Sequence, residues 1–152
     1  MVTIRKFERE DGESVATIAN ETFEEEMAKG MPEFTAENMV ESSQRCEVNV
    51  FVAEDGGRVA GFLMLVESRM GYPAQIHLVG VRREFRGRGT GRMLVEHAVV
   101  HSKKIGDRKI RLYTRPWNVP MSKICIGLGF VPEAYLRKEF LNEDLVQYSL
   151  FL

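Results

Sequence analysis

The stretch Val79-Gly80-Val81-Arg82-Arg83-Glu84-Phe85-Arg86-Gly87-Arg88-Gly89-Thr90-Gly91-Arg92-Met93-Leu94 constrains the fold more than any other part of the chain. The apolar run Ile76 to Val81 before and through its start reads as a central strand. Arg82 to Gly91 is basic and glycine-rich, and Met93, Leu94, His97, Ala98 and Val99 then recur at helical spacing. Glycines let a backbone approach an anion closely, because no Cβ intervenes. The free N–H groups of a first helical turn, aided by the helix dipole, favour negative charge at that place. Five arginines between Arg82 and Arg92 supply local positive charge in a chain whose net charge is −1. The junction therefore predicts a phosphate or pyrophosphate site.

Two other phosphate motifs do not fit. The Gly-Lys-Ser/Thr of a P-loop is absent. A G-x-G-x-x-G fingerprint started from Gly87 or Gly89 meets Arg92 or Leu94 where its third glycine belongs.

The remaining pattern describes one α/β domain spanning 1–152, with a mixed sheet. Val2, Ile4 and Phe7 suggest a first strand. Asp11, or Ser14, starts a helix over about Gly12 to Met27, which Gly30 and Pro32 break. Thr35 opens a second helix running to about Cys46, with Asn38 rather than an acid at the position of a capping-box partner. Strands follow at Val48–Ala53 and Val59–Val66 around the Asp55-Gly56-Gly57 turn. After the glycine-rich helix come a strand at Ile110–Thr114, a short helix closed by Gly129, a strand from Phe130, and a last strand from Leu145 to Leu152.

Composition removes several classes of function. A net charge of −1 gives no general attraction to nucleic acid or to an anionic membrane. No apolar run approaches the roughly 20 residues of a membrane span. No apolar h-region follows Met1, so no signal peptide is expected. Two cysteines, Cys46 and Cys125, form no C-x-x-C pair and suit a reducing, cytoplasmic setting. His97 and His101 have a metal-capable i, i+4 spacing but no third ligand in view, so a solvated helix face is expected and no metal.

Arg86-Gly87-Arg88-Gly89-Thr90-Gly91 resembles the Gln/Arg-x-x-Gly-x-Gly/Ala pyrophosphate loop of the GNAT superfamily, the general N-acetyltransferases. Asn118, Gly129 and Phe130 stand at the spacings of a second family segment, Asn-x-x-Ala-x-x-x-Tyr-x-x-x-Gly-Phe. The order of strands and helices matches along essentially the whole chain. The resemblance implies a mixed, mostly antiparallel sheet of six or seven strands flanked by about four helices. It implies acetyl-CoA as cosubstrate. The main chain at Val79 and Val81 would dock the pantetheine arm, and the Arg86–Arg92 loop, with Thr90 in it, would hold the pyrophosphate. Two positions depart from the second segment. Met121 stands for the alanine, and Cys125 for the tyrosine that in many relatives protonates the departing thiolate. A thiol has a pKa of about 8.5 against about 10 for a phenol, but it is shorter. Cys125, Tyr113, Tyr135 and water all remain open as the acid.

Relatives carry a glutamate or histidine at the positions of Gln75 and His77. Gln75 is no base. His77, expected to share a strand face with Gln75 and Val79, is one. The implied function is an N-acetyltransferase for a primary amine, with a small molecule favoured over a protein N-terminus or lysine. A non-catalytic acyl-CoA-binding module is a different class that the missing tyrosine keeps in view. Glu24-Glu25-Glu26 reads as a wet helix face that could otherwise attract a cation. The apolar last strand, read as a sheet edge, points to covering by a second copy in a homodimer.

Overall fold

In the computed structural model, which describes residues 1–152, the chain runs β1 (Val2–Lys6), α1 (Gly12–Thr22), α2 (Glu24–Ala28), α3 (Ala36–Ser43), β2 (Val48–Asp55), β3 (Arg58–Val66), β4 (Ala74–Val81), α4 (Thr90–Ile105), β5 (Lys109–Thr114), α5 (Val119–Gly127), β6 (Val131–Phe140) and β7 (Glu143–Phe151). Short 3-10 turns precede α1 and α4. The seven strands form one sheet in the order β1-β2-β3-β4-β5-β7-β6. Only β4 and β5 pair in parallel; every other neighbour is antiparallel. No helix is long and apolar enough to cross a membrane.

Alternating side chains give the sheet two apolar faces. Phe51, Leu63, Ile110, Leu112 and Tyr148 pack with Leu94, Val95 and Ala98 of α4 and Cys125 of α5. Val50, Val52, Phe62 and Met64 pack on the other side with Val15, Ile18 and Ala19 of α1 and Met39 of α3. The β3–β4 ladder shows how close this packing is. A Cβ on Gly61 would lie 2.8 Å from the Gly80 carbonyl oxygen, and one on Gly80 would lie 2.5 Å from Thr22 Oγ1.

Four local expectations need correction. The first helix breaks at Phe23 into α1 and α2. Asn38 does complete a reciprocal capping box, because its amide oxygen accepts from Thr35 N–H while Thr35 Oγ1 accepts from Asn38 N–H. The last strand is no edge: β7 lies between β5 and β6, so β6 is the exposed strand. Finally, the alternation along β4 slips by one residue. Met64 pairs with Leu78 and Leu65 with Ile76, so His77 is an unpaired bulge residue. Ala74 and Ile76 before the bulge and Val79 and Val81 after it all pack toward α4, while Leu78 packs toward α1. His77 and Val79 therefore do not share a face.

Candidate active site

The parallel β4–β5 pairing is confined to Ala74↔Ile110 and Gln75↔Arg111. Beyond those pairs the two strands part, and the β5-facing main chain of β4 from His77 onward is left without a ladder partner. A cleft of about 1110 Å³ occupies the resulting opening. It reaches from α1 and α2 across Gln75, His77 and Val79 to Leu112, Tyr113 and Asn118. Such a divergence creates a slot whose wall is a strand edge with free N–H and C=O groups. An extended amide-containing arm can add to that edge as another strand would.

At the end of this slot lies the glycine-rich loop. Gly87 and Gly89 have φ of +76° and +83°, and nothing stands within 4 Å of where their Cβ atoms would be. Gly89 is the residue before the first turn of α4, whose 16 residues begin at Thr90. Thr90 is buried, and its Oγ1 has no hydrogen-bond partner. An open glycine cradle, a helix N-terminus and an orphaned hydroxyl at the helix's first residue together fit a pyrophosphate.

The arginines divide their work. Arg86 lines the cleft, and its Nε donates to the Val81 carbonyl at 2.8 Å, tying the loop to the end of β4. Arg83 also lines the cleft and pairs with Glu24 at 2.9 Å. Arg88 stacks over Phe85, Arg92 donates toward the Gly127 carbonyl at 3.5 Å, and Arg82 donates to the Val59 carbonyl. Asn118 caps α5, its side-chain oxygen accepting from Met121 N–H at 3.3 Å, and it faces the cleft.

His77 is solvent-accessible but enclosed by cleft walls. The surrounding protein disfavours its charged form, so its pKa lies below the ordinary histidine value. It is therefore neutral, and able to accept a proton, at neutral pH. Of the side chains weighed as proton donors, Tyr113 lines the cleft. Tyr135 is on β6 with its hydroxyl donating to Asp144 Oδ2 at 2.8 Å. Cys125 is fully buried among the apolar residues under α4, where burial pushes its thiol up to about 12. Its sulfur is not brought to the cleft.

Sequence reasoning missed the burial of one acid and its cationic partner. Glu26, expected on a wet helix face, is 6% exposed. It receives Arg115 Nη1 at 2.8 Å, and Arg115 also bonds Glu143, which Lys29 reaches from outside. Glu26 and Arg115 both line the cleft. The Glu21 carboxylate, one of the acids in the cleft wall, has its Oε2 buried without a partner. His97 and His101 do not form a solvated face either. Their rings meet the edge of Phe51 with centroids at 4.6 and 5.4 Å, and His101 Nε2 lies 3.3 Å from Glu67 Oε1. No group of three or more metal-ligating side chains forms there or elsewhere.

Comparison with known proteins supports the same architecture. A Salmonella typhimurium protein described as an acetyltransferase, solved with its cofactor acetyl-CoA, superposes with a TM-score of 0.88 at 21% identity, covering 99% of this chain and 94% of that one. A ribosomal-protein-alanine N-acetyltransferase from Brucella melitensis gives 0.88 at 22% identity over 99% of each chain. At these identities the likeness is one of fold. An uncharacterized N-acetyltransferase from Methanocaldococcus jannaschii is 33% identical over 94 residues, 57% of this chain and 41% of that longer protein. The family model described as "Acetyltransferase (GNAT) family" matches residues 12–130, and the chain belongs to that family.

Proposed function

We propose that this protein transfers the acetyl group of acetyl-CoA to a primary amine within a ternary complex. The observation that carries the reading is the parted β4–β5 edge leading to the Gly87–Thr90 cradle, a slot for a pantetheine arm ending in a pyrophosphate. Acetyl-CoA supplies the acyl group already activated as a thioester. The main chain at Val79 and Val81 docks the arm, although the Val81 carbonyl is already engaged by Arg86. The amides from Arg86 to Arg92, with Asn118 beside the slot, hold the phosphate end. An unpaired β4 amide polarises the thioester oxygen.

His77 takes the proton that the acceptor's ammonium gives up to become the attacking amine. A base at this place contributes typically 10²- to 10⁴-fold. Tyr113 is the proposed donor to the departing thiolate, supported by its position in the cleft wall. Glu21, whose inner oxygen has no partner, draws the cationic acceptor toward His77. No side chain need form a covalent intermediate.

A thiol-release assay with acetyl-CoA and a panel of polyamines, aminoglycosides, amino acids and peptides tests the reading. Turnover with one acceptor class, lowered by His77→Ala, is the expected result. Binding of acetyl-CoA by calorimetry with no turnover on any acceptor would instead mark a non-catalytic acyl-CoA-binding module.

A further inference from the structure

Beside the main cleft lies a smaller one of about 310 Å³. Its walls include Val66 of β3, Glu67, Arg69, Tyr72 and Pro73 of the β3–β4 connection, and Arg111 of β5. Gln75 and His77 line both cavities, so His77 stands at their junction.

The rim of the smaller cleft is open, with two exposed apolar side chains beside the charged Arg69 and Glu67. Met70 is 87% exposed and Tyr72 68%. These side chains are not carried on slack chain. Arg69 and Tyr72 exchange main-chain hydrogen bonds of 3.2 and 2.8 Å, and Ser68 Oγ donates to the Tyr72 carbonyl at 2.7 Å. Across the cleft, the Arg111 guanidinium donates to the Gln75 amide oxygen at 3.4 Å and stacks over Tyr113. No carboxylate pairs with it. Glu133, on β6 beyond β7, is already taken by Lys109, Gln147 and Ser149.

A small amine is accommodated by the main cleft alone and has no use for a second cavity past His77. An extended polypeptide uses both. Its reacting amine reaches His77, its next residues run outward, a free guanidinium takes a main-chain carbonyl or a carboxylate, and an aromatic rim takes an apolar side chain. We propose that the acceptor is a polypeptide whose residues beside the reacting amine lie in the smaller cleft, between the Met70–Tyr72 turn and Arg111. This rests on the amine-acetyltransferase reading above, and it reverses the preference for a small molecule that the sequence suggested.

The test compares hexapeptide amides bearing a free N-terminus and one lysine with the corresponding single amino-acid amides. Thiol release is followed for each, and mass spectrometry locates the acetyl group. The double variant Met70→Ala/Tyr72→Ala and the single variant Arg111→Gln are run beside the unaltered protein. The peptide is expected to be the better acceptor by tenfold or more in kcat/KM (about 1.4 kcal/mol). Both variants should lose most of that advantage through KM while the amino-acid amides react as before. The double variant alters only exposed side chains, so it keeps the fold. Peptide and amide equally good, or equally affected by the variants, would overturn the inference and leave a small-amine acetyltransferase. Thiol release from no acceptor at all would overturn the amine-transfer reading, and the inference with it.

Discussion

In the proposed reaction, the chemistry turns on the state of His77. Its pKa is lowered because the cleft walls disfavour the charged ring. As pH rises through that lowered value the ring loses its proton and becomes a base. In kcat/KM this predicts a rising limb centred below the ordinary histidine pKa of about 6.5. His77→Gln should remove that limb and lower kcat/KM near pH 7.5 by about 10²-fold. A pH–rate profile checks it, and an unchanged limb in the variant would exclude His77 as the base. Cys125 makes the opposite case. Its sulfur is buried in the core and its thiol pushed up to about 12. Cys125→Ala should leave kcat unchanged and cost on the order of 1 kcal/mol of stability, seen as a fall of about 2–4 °C in Tm. Tyr113→Phe should lower kcat more than it changes the KM for acetyl-CoA. The candidacy of His77 was legible from residue type and strand position. Its bulge was not, because a one-residue slip in β4 leaves no mark in an apolar run. The burial of Cys125 was hidden for a related reason, since α5 is apolar on nearly every side.

At the scale of elements, the strand–loop–helix junction was the most legible part of the chain. Glycine is required where φ is positive, and Gly87 and Gly89 stand at +76° and +83°. Gly89→Ala puts a residue with a Cβ into a left-handed conformation that costs roughly 1–2 kcal/mol. The added Cβ itself meets nothing within 4 Å, so the loop can shift to relieve the strain and carries its amides away from the proposed phosphate position. Acetyl-CoA affinity should fall about tenfold by calorimetry, with Tm little altered. Gly61→Ala supplies the contrast. Its Cβ would press on the Gly80 carbonyl at 2.8 Å, inside the sheet, so it should lower Tm instead. Equal losses of Tm in the two variants would mean that Gly89 serves the fold rather than the ligand. The division of the first helix at Phe23 was less legible. Glu24-Glu25-Glu26-Met27 continues a helical composition, and it is tertiary contact with Arg115 that turns Glu26 inward.

The order of the whole sheet was only partly written in the local pattern. Element types, their succession and a mixed sheet could be read from periodicity, and the family resemblance added that the sheet is mostly antiparallel with six or seven strands. The insertion of β7 between β5 and β6 depends on pairings across the chain that no local signal reports. The same is true of the link that follows from it. Because β7 lies beside β5, Glu143 comes to Arg115, and Arg115 in turn holds Glu26 of α2. One guanidinium, 12% exposed, thus joins the helical wall of the cleft to the strand at the far side. Truncating one partner of a buried pair leaves an uncompensated charge and costs about 3–5 kcal/mol, whereas replacing both with apolar residues is often neutral. Arg115→Met should therefore lower Tm by roughly 6–20 °C, at about 2–4 °C per kcal/mol for a chain of this size. Adding Glu26→Leu should restore much of the loss, although Glu143 still has Lys29 as its partner and needs no replacement. In the restored double variant, acetyl-CoA binding should be normal, because the proposed phosphate cradle lies elsewhere. The KM for the acceptor should rise, because α2 is no longer pinned to β7. If the double variant were no more stable than Arg115→Met, burial of the Glu26 charge would not be the origin of the loss. Loss of the Arg115 guanidinium from over the Phe140 ring would then account for it.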